Sequence, residues 1–188
     1  MNGDDPSVEP TDDIMCATYR ALCRHGYADL TMQDIADEWS KSKSALHYHY
    51  DTKRDLLLAV LDHLYESYTD RVSAPETGTP RDRLEALIAA ALDSLETETC
   101  RQLRTALFEV NAQAPYDEAF RERLQRFDSH LAAEIEAVVA EGIAAGQFRP
   151  DVDPETVTTL LVTVVEGAHS RQVALDTDDD VAAAARAY

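Results

Sequence analysis

Apolar residues recur at helical spacing along almost the whole sequence. Ile14, Ala17, Thr18, Ala21 and Leu22 stand at positions i, i+3, i+4, i+7 and i+8, which predicts a first helix over about 12–25. Gly26 follows and is typical of the left-handed residue that ends a helix. No segment alternates apolar and polar residues for long, so the pattern predicts an all-α protein.

Three more helices are predicted before residue 72. Thr31-Met-Gln-Asp34 has the spacing of a capping box and predicts a helix over about 32–38. A third short helix follows at about 42–49. Thr52-Lys-Arg-Asp55 is a second such start, and it opens a long helix that runs to about residue 71.

The second half of the sequence also reads as helices, after a linker at 73–80. Asp153 and Pro154 predict a capped helix start. The helix from there to about 173 is apolar on more than one side, so its second side should line a cavity or meet another subunit. The other predicted helices lie at about 84–95, at 101–112, before Gly142–Gly146 and at about 179–188.

Composition narrows the class of protein. The net charge is −19, yet 45% of residues are hydrophobic, which excludes a disordered polyanion. No apolar run reaches the roughly 18–20 residues that a membrane span needs. Residues 1–13 lack basic side chains, which argues against a secretory signal. We expect a cytoplasmic protein with a disordered head at 1–11. The acid excess indicates either a surface adapted to concentrated salt, which screens charge repulsion, or an ordinary acidic protein.

The three lysines of the sequence, Lys41, Lys43 and Lys53, all lie in one aromatic-rich window. Residues 39–54 carry a charge of +3, which leaves −22 on the rest of the chain. Such a window favours an anionic partner, with phosphate as the leading candidate.

Two short helices after a longer one form a helix-turn-helix pattern. Ala36 is the small residue where the two helices approach each other, and Leu46 is the apolar residue that packs back into the core. The second short helix should then expose polar and aromatic groups suited to a DNA groove. Those groups are Ser42, Lys43, Ser44, His47 and Tyr48.

Residues 12–60 resemble the DNA-binding domain of the TetR/AcrR family of transcriptional regulators. The resemblance rests on Gly26-Tyr27, Thr31-Met-Gln-Asp-Ile-Ala36, Ser42-Lys43, Leu46-His-Tyr-His-Tyr50 and Lys53 followed by Asp55-Leu56-Leu57. It implies a helix-turn-helix domain at 12–56 and a helical effector-binding and dimerisation domain at 57–188. It also implies a homodimer that binds a palindromic double-stranded DNA operator and a small-molecule effector, most often as a repressor.

The resemblance also implies residue roles. Thr31, Lys53 and Tyr48 are expected to contact phosphates. Lys43, Ser44, Ala45 and His47 are expected in or beside the major groove, with Ser42 at the start of the same helix.

The turn between the two short helices departs from the family pattern. Ser40-Lys41 replaces the usual Gly and apolar residue, so a left-handed Ser should cost about 1 kcal/mol relative to Gly. Lys41 either reaches toward DNA or is a plain solvated lysine. Trp39 is expected to pack at the core and to supply the missing apolar mass.

Other chemistry finds little support in the sequence. His47 and His49 are two positions apart on a helix and point apart, so no metal site is expected. No catalytic motif, phosphate loop or cofactor signature is present, so we expect no enzyme and no cofactor. Tyr50 is interpreted as a core residue. Candidates for an effector pocket are Phe108, Tyr116, Phe120, Phe127, His130 and His169, although each is also typical of ordinary core.

Two alternatives stay open at this point. One is an acidic helical bundle that binds a ligand or a protein partner but not DNA. The other concerns the final helix at about 179–188, which is short for a dimer helix. Either the chain continues beyond these residues, or dimerisation rests mainly on the helix at 154–173.

Overall fold

The computed structural model describes residues 10–92 and 98–175, with side chains from 13 to 92 and from 105 to 175. Within those residues every regular element is an α-helix, so the all-α prediction is confirmed. The helices are α1 (Pro10–Asp29), α2 (Met32–Trp39), α3 (Lys43–His49), α4 (Lys53–Arg71), α5 (Pro80–Leu92), α6 (Glu98–Asn111), α7 (Glu118–Ala144) and α8 (Pro154–Leu175). The expected helix at 179–188 and most of the expected head lie outside the described residues.

Side-chain caps fix the starts of the helices. Thr31 and Asp34 form the predicted reciprocal capping box at the start of α2. Thr52 accepts a hydrogen bond from the Asp55 amide and starts α4. Asp153 accepts one from the Thr156 amide over 3.1 Å, directly before Pro154 begins α8. These short-range bonds satisfy amides that a helix start leaves unpaired, which is why the predicted starts agree with the structure.

Gly26 breaks the first helix. Its φ of 71° and ψ of 170° interrupt α1, and one more turn follows to Asp29. The predicted left-handed Gly is therefore confirmed, but it produces a kink with a last turn beyond it rather than a simple stop.

Two apolar clusters form the core. The first joins α1, α2, α3 and the N-terminal half of α4, and it includes Ala106, Val110 and Phe120 from α6 and α7. The second lies among α4, α5, α7 and α8, around Leu131 and Ile135. Helix α3 packs on α2 and α2 packs on α1, whereas α1 packs on α6 and α4 packs on α7 of the C-terminal bundle.

Helix α8 buries one side and exposes another. Val162 and Val165 are buried, whereas Leu160 is 60% exposed and Val164 40% exposed. The prediction of a helix with two apolar sides is confirmed, and its second side is open to solvent in the isolated chain. Among the described helices, none is long and apolar enough to cross a membrane.

Candidate DNA-binding surface

Helices α2 and α3 form the predicted helix-turn-helix. Ala36 and Leu46 are both fully buried in the first apolar cluster. Packing at these two positions holds α3 against the core and turns its opposite side outward. The residues that line this outer side are exposed, and they include Ser42, Lys43, Ser44, His47 and Tyr48.

The turn between α2 and α3 has the geometry that Gly usually provides. Ser40 is left-handed, with φ 59° and ψ 30°. The Ser40 amide donates to the Asp37 carbonyl and the Lys41 amide to the Ala36 carbonyl, each over 3.2 Å. This pair of bonds is the Schellman motif that closes a helix. The left-handed Ser is confirmed, and the sequence departure keeps the motif intact.

Lys41 is exposed beyond this turn, and Trp39 takes the apolar role before it. The Trp39 side chain is half-buried against the first cluster and meets His49 edge to face, with ring centres 5.9 Å apart. The expectation that Trp39 packs at the core is confirmed. Within the described part of the chain, neither Lys41 nor Lys43 has an ion-pair partner.

Ser42 and Thr31 both serve as helix caps. The Ser42 hydroxyl accepts from the Ala45 amide over 3.1 Å, and Ala45 itself is half-buried. The Thr31 hydroxyl donates to the Asp34 carboxylate over 2.6 Å. These bonds with Thr31 lower the pKa of Asp34. A negative charge therefore lies beside the first predicted phosphate contact.

Lys53 is half-buried and contacts Tyr27. Its Nζ donates to the Tyr27 carbonyl over 2.9 Å and lies 4.9 Å from the centre of the Tyr27 ring. Its neighbour Arg54 donates two hydrogen bonds to Asp117, over 2.5 and 2.8 Å. Sequence reasoning missed both partners because Tyr27 and Asp117 lie far away along the chain.

Tyr48 on α3 and Tyr50 at its C-cap differ in exposure, as predicted. Tyr48 is 86% exposed and meets His49 edge to face. Tyr50 is half-buried against the first cluster, and this burial raises the pKa of its phenol. Tyr48 is therefore the one of the pair that can reach a partner molecule.

The six candidate pocket residues do not gather at one place. Phe120 is buried in the first cluster, where its ring meets Tyr27. Phe108 is 41% exposed and Tyr116 is 88% exposed. His169 is half-buried on α8.

Phe127 and His130 each contact two tyrosines of α4, Tyr65 and Tyr68, which were not among the pocket candidates. The ring of Phe127 lies 5.2 Å from Tyr65 and 5.0 Å from Tyr68, and His130 Nε2 lies 2.7 Å from the Val72 carbonyl oxygen. Burial raises the pKa of Tyr68 to about 12. Tyr65 and Tyr68 are three residues apart on a helix, and that spacing was the available signal.

A shallow depression of about 490 Å³, largely open to solvent, lies beside this cluster between α4 and α7. The Arg126 guanidinium covers the Tyr65 ring at 4.1 Å and also bonds to Asp62. The residues around the depression carry aromatic, cationic and acidic groups, and most of their side chains are exposed. They are Tyr65, Glu122, Gln125, Arg126, Ser129 and His130. Among the described residues, no group of three His, Cys, Asp or Glu side chains is placed to hold a metal ion.

Comparison with known families decides the class of protein. Residues 14–60 match the bacterial regulatory proteins of the tetR family, and residues 80–188 match the tetracyclin repressor-like C-terminal domain. The chain belongs to the TetR family of transcriptional regulators. It is a DNA-binding transcriptional regulator, and the family consists of regulators rather than enzymes. The match over 14–60 favours DNA binding over the acidic bundle without it.

Two relatives support this assignment, and a further solved structure shares the fold. A TetR transcription regulator from Haloarcula marismortui is 45% identical, with a TM-score of 0.86 over 94% of this chain and 93% of that one. The transcriptional repressor AcnR of Corynebacterium glutamicum is 26% identical and covers 90% of this chain and 84% of its own. A putative regulator from Saccharomonospora viridis, solved with choline, is 23% identical, with a TM-score of 0.79 over 90% of this chain and 87% of that one.

Proposed function

We propose that this TetR-family protein is a ligand-responsive repressor that acts in the cytoplasm and binds a palindromic operator as a homodimer. The exposed outer side of α3 carries the proposal. It presents Lys43, Ser44 and His47 without a competing acidic residue in the first turn of the helix. In a chain with a net charge of −19, such a surface suits a polyanion.

The residues of this surface would contact two different parts of the DNA, the base edges and the phosphates. Lys43, Ser44 and His47 bond to base edges in the major groove, where the Ala45 methyl meets a thymine methyl. Thr31, Ser42 and Tyr48 contact phosphates. Lys41 is exposed beside them and adds charge. Lys53 uses one of its three N–H groups on Tyr27 and turns the others to phosphate.

The exposed side of α8 supports the dimer. Leu160, Val164, Gly167 and Leu175 fall within about 80° of one another around the helix. A Cβ added at Gly167 would meet no atom within 4 Å, so the middle of this stripe is open for a second α8. Exposed apolar stripes of this kind are typical of helices that pair between subunits.

The cluster of Phe127 and His130, with the open depression beside it, is the proposed effector site. The Saccharomonospora viridis relative was solved with choline and the FadR regulator of Bacillus subtilis with stearoyl-CoA. Their ligands differ in charge and size, so they support a small organic effector here without fixing its class. Effector binding between α4 and α7 would shift α4, and with it the recognition helix and the DNA affinity.

Selection of bound DNA from a random pool tests the proposal. The selected sequences should be inverted repeats whose half-sites are centred about 10 base pairs, or a multiple of one helical turn, apart. A pool without enrichment, across a range of salt concentrations, would count against operator binding. Repeating the selection with candidate ligands should identify those that release the DNA.

A further inference from the structure

Two carboxylates of the C-terminal bundle hold the DNA-binding helices on either side of the helix-turn-helix. Glu109 on α6 accepts the Tyr27 backbone N–H over 2.5 Å. Asp117, the N-cap of α7, accepts two hydrogen bonds from Arg54 at the start of α4. Because Tyr27 precedes α2 and Arg54 follows α3, the two contacts lie on either side of the helix-turn-helix in the sequence.

The break at Gly26 makes room for the first contact. In an unbroken helix the Tyr27 N–H would bond to a carbonyl four residues earlier. Here the left-handed φ of 71° turns that N–H toward Glu109 instead. A Cβ at position 26 would lie 2.9 Å from Glu109 Oε2, so a residue with a side chain would push the carboxylate away.

Tyr27 is held by three elements at once. Its N–H binds Glu109 on α6, its carbonyl accepts from Lys53 on α4, and its ring meets Phe120 on α7 with centres 6.3 Å apart. These contacts determine how α1 lies on the bundle. Since α3 packs on α2 and α2 packs on α1, they also influence where α3 lies.

We infer that Glu109 is a positioning residue that sets the separation of the two recognition helices, and thereby the half-site spacing that the dimer accepts. This inference rests on the proposed operator-binding dimer. Helix α6 contacts both α1 and α8, the helix proposed for pairing, so a rotation at the α1–α6 contact would move the recognition helix relative to the dimer interface. Glu109 touches no DNA in this account and acts through Tyr27.

Glu134 offers a matched control. Its carboxylate accepts the Ala74 backbone N–H over 2.7 Å, which is the same kind of half-buried bond, but it lies inside the C-terminal bundle. Glu109→Ala and Glu134→Ala therefore remove equivalent bonds at different places. Glu109→Gln retains an oxygen that can accept the Tyr27 N–H, so it should behave largely as wild type.

The first experiment measures affinity for operators whose half-site spacing is changed by one base pair in either direction. Glu109→Ala should lose about tenfold or more in affinity for the operator with the preferred spacing and much less for operators with altered spacing. Its profile of affinity against spacing should therefore be flatter than that of the wild type. Glu134→Ala should keep the wild-type profile even if it melts earlier. An unchanged profile for Glu109→Ala, or equal flattening by both variants, would overturn the inference.

A second experiment needs neither DNA nor a dimer. Spin labels at Ser44→Cys on α3 and Ser170→Cys on α8, in a chain whose three native cysteines are replaced, report the distance between the two parts of one subunit. Glu109→Ala should broaden or shift this distance, and Glu134→Ala should not. Identical distributions for Glu109→Ala and wild type would reject the role of Glu109, whereas absent operator binding by wild type would reject the proposed function instead.

Discussion

The ammonium of Lys53 donates a hydrogen bond to the Tyr27 carbonyl oxygen, and it lies 4.9 Å from the centre of the ring of the same residue. The family resemblance implies that Lys53 contacts a phosphate. In the structure Lys53 also joins the start of α4 to the end of α1. Its two roles can be separated by experiment, because only a phosphate contact releases a counterion from DNA.

Lys53→Ala should weaken binding to all DNA sequences alike. If each Lys53 neutralises one phosphate, the slope of log K against log salt concentration should become shallower by about 0.9 for each subunit. Titrations from low to high KCl on specific and random duplexes check this. An unchanged slope together with a lower melting temperature would mean that Lys53 only ties Tyr27 to α4.

Ser40→Gly should stabilise the protein. Ser40 holds a left-handed φ of 59°, a conformation that costs a residue with a Cβ about 1 kcal/mol relative to Gly. The urea midpoint should rise while the slope of the transition stays constant. Ser129→Gly, in the middle of α7, is the control and should instead cost about 0.5 kcal/mol. A loss of stability in Ser40→Gly would mean that the hydroxyl has a structural role.

Acid should weaken the cap of α2. Hydrogen bonds from Thr31 hold the pKa of Asp34 below its ordinary value. A carboxyl group whose pKa is lower in the folded state contributes its full stabilisation of the fold at pH values above its unfolded pKa, about 3.9. The fold loses that contribution as the pH falls through the folded-state pKa. Asp34→Asn should therefore flatten the acid limb of a plot of urea midpoint against pH. Asp37→Asn, one turn further along α2, should flatten it less, and equal effects would contradict the cap.

Val164→Glu should abolish the dimer. Val164 lies on the exposed apolar side of α8, and a charge there would be buried without a partner when two subunits meet. Thr159→Glu, on a different side of the same helix, is the matched control and should leave the dimer intact. Sedimentation velocity distinguishes the outcomes, and a Val164→Glu dimer as tight as wild type would place the interface elsewhere.

Local signals along the sequence predicted most of the fold and the surface of α3. The capping box at Thr31 and the side-chain cap at Thr52 act within one helical turn, so their residues stand three apart and can be recognised directly. Ala36 and Leu46 were found because the helix-turn-helix requires a small and an apolar residue at those places.

Contacts across long stretches of chain could not be predicted. Glu109 lies 82 residues from the amide that it binds, and nothing in either local segment indicates the other. The packing of Phe120 likewise could not be predicted from the local sequence. Its aromatic character suited a ligand pocket as well as a core, and only the fold places it against Tyr27.

Whether α3 reads base sequence can be measured by comparing the affinity of His47→Ala for a selected operator and for random DNA of equal length. His47 is exposed on α3 and is proposed to contact base edges. We expect the variant to lose about 1–3 kcal/mol of binding free energy on the operator, to change little on random DNA, and to show relaxed preference at one position of each half-site. An equal loss on both DNAs would contradict base reading by this residue, and no loss on either would remove it from the interface.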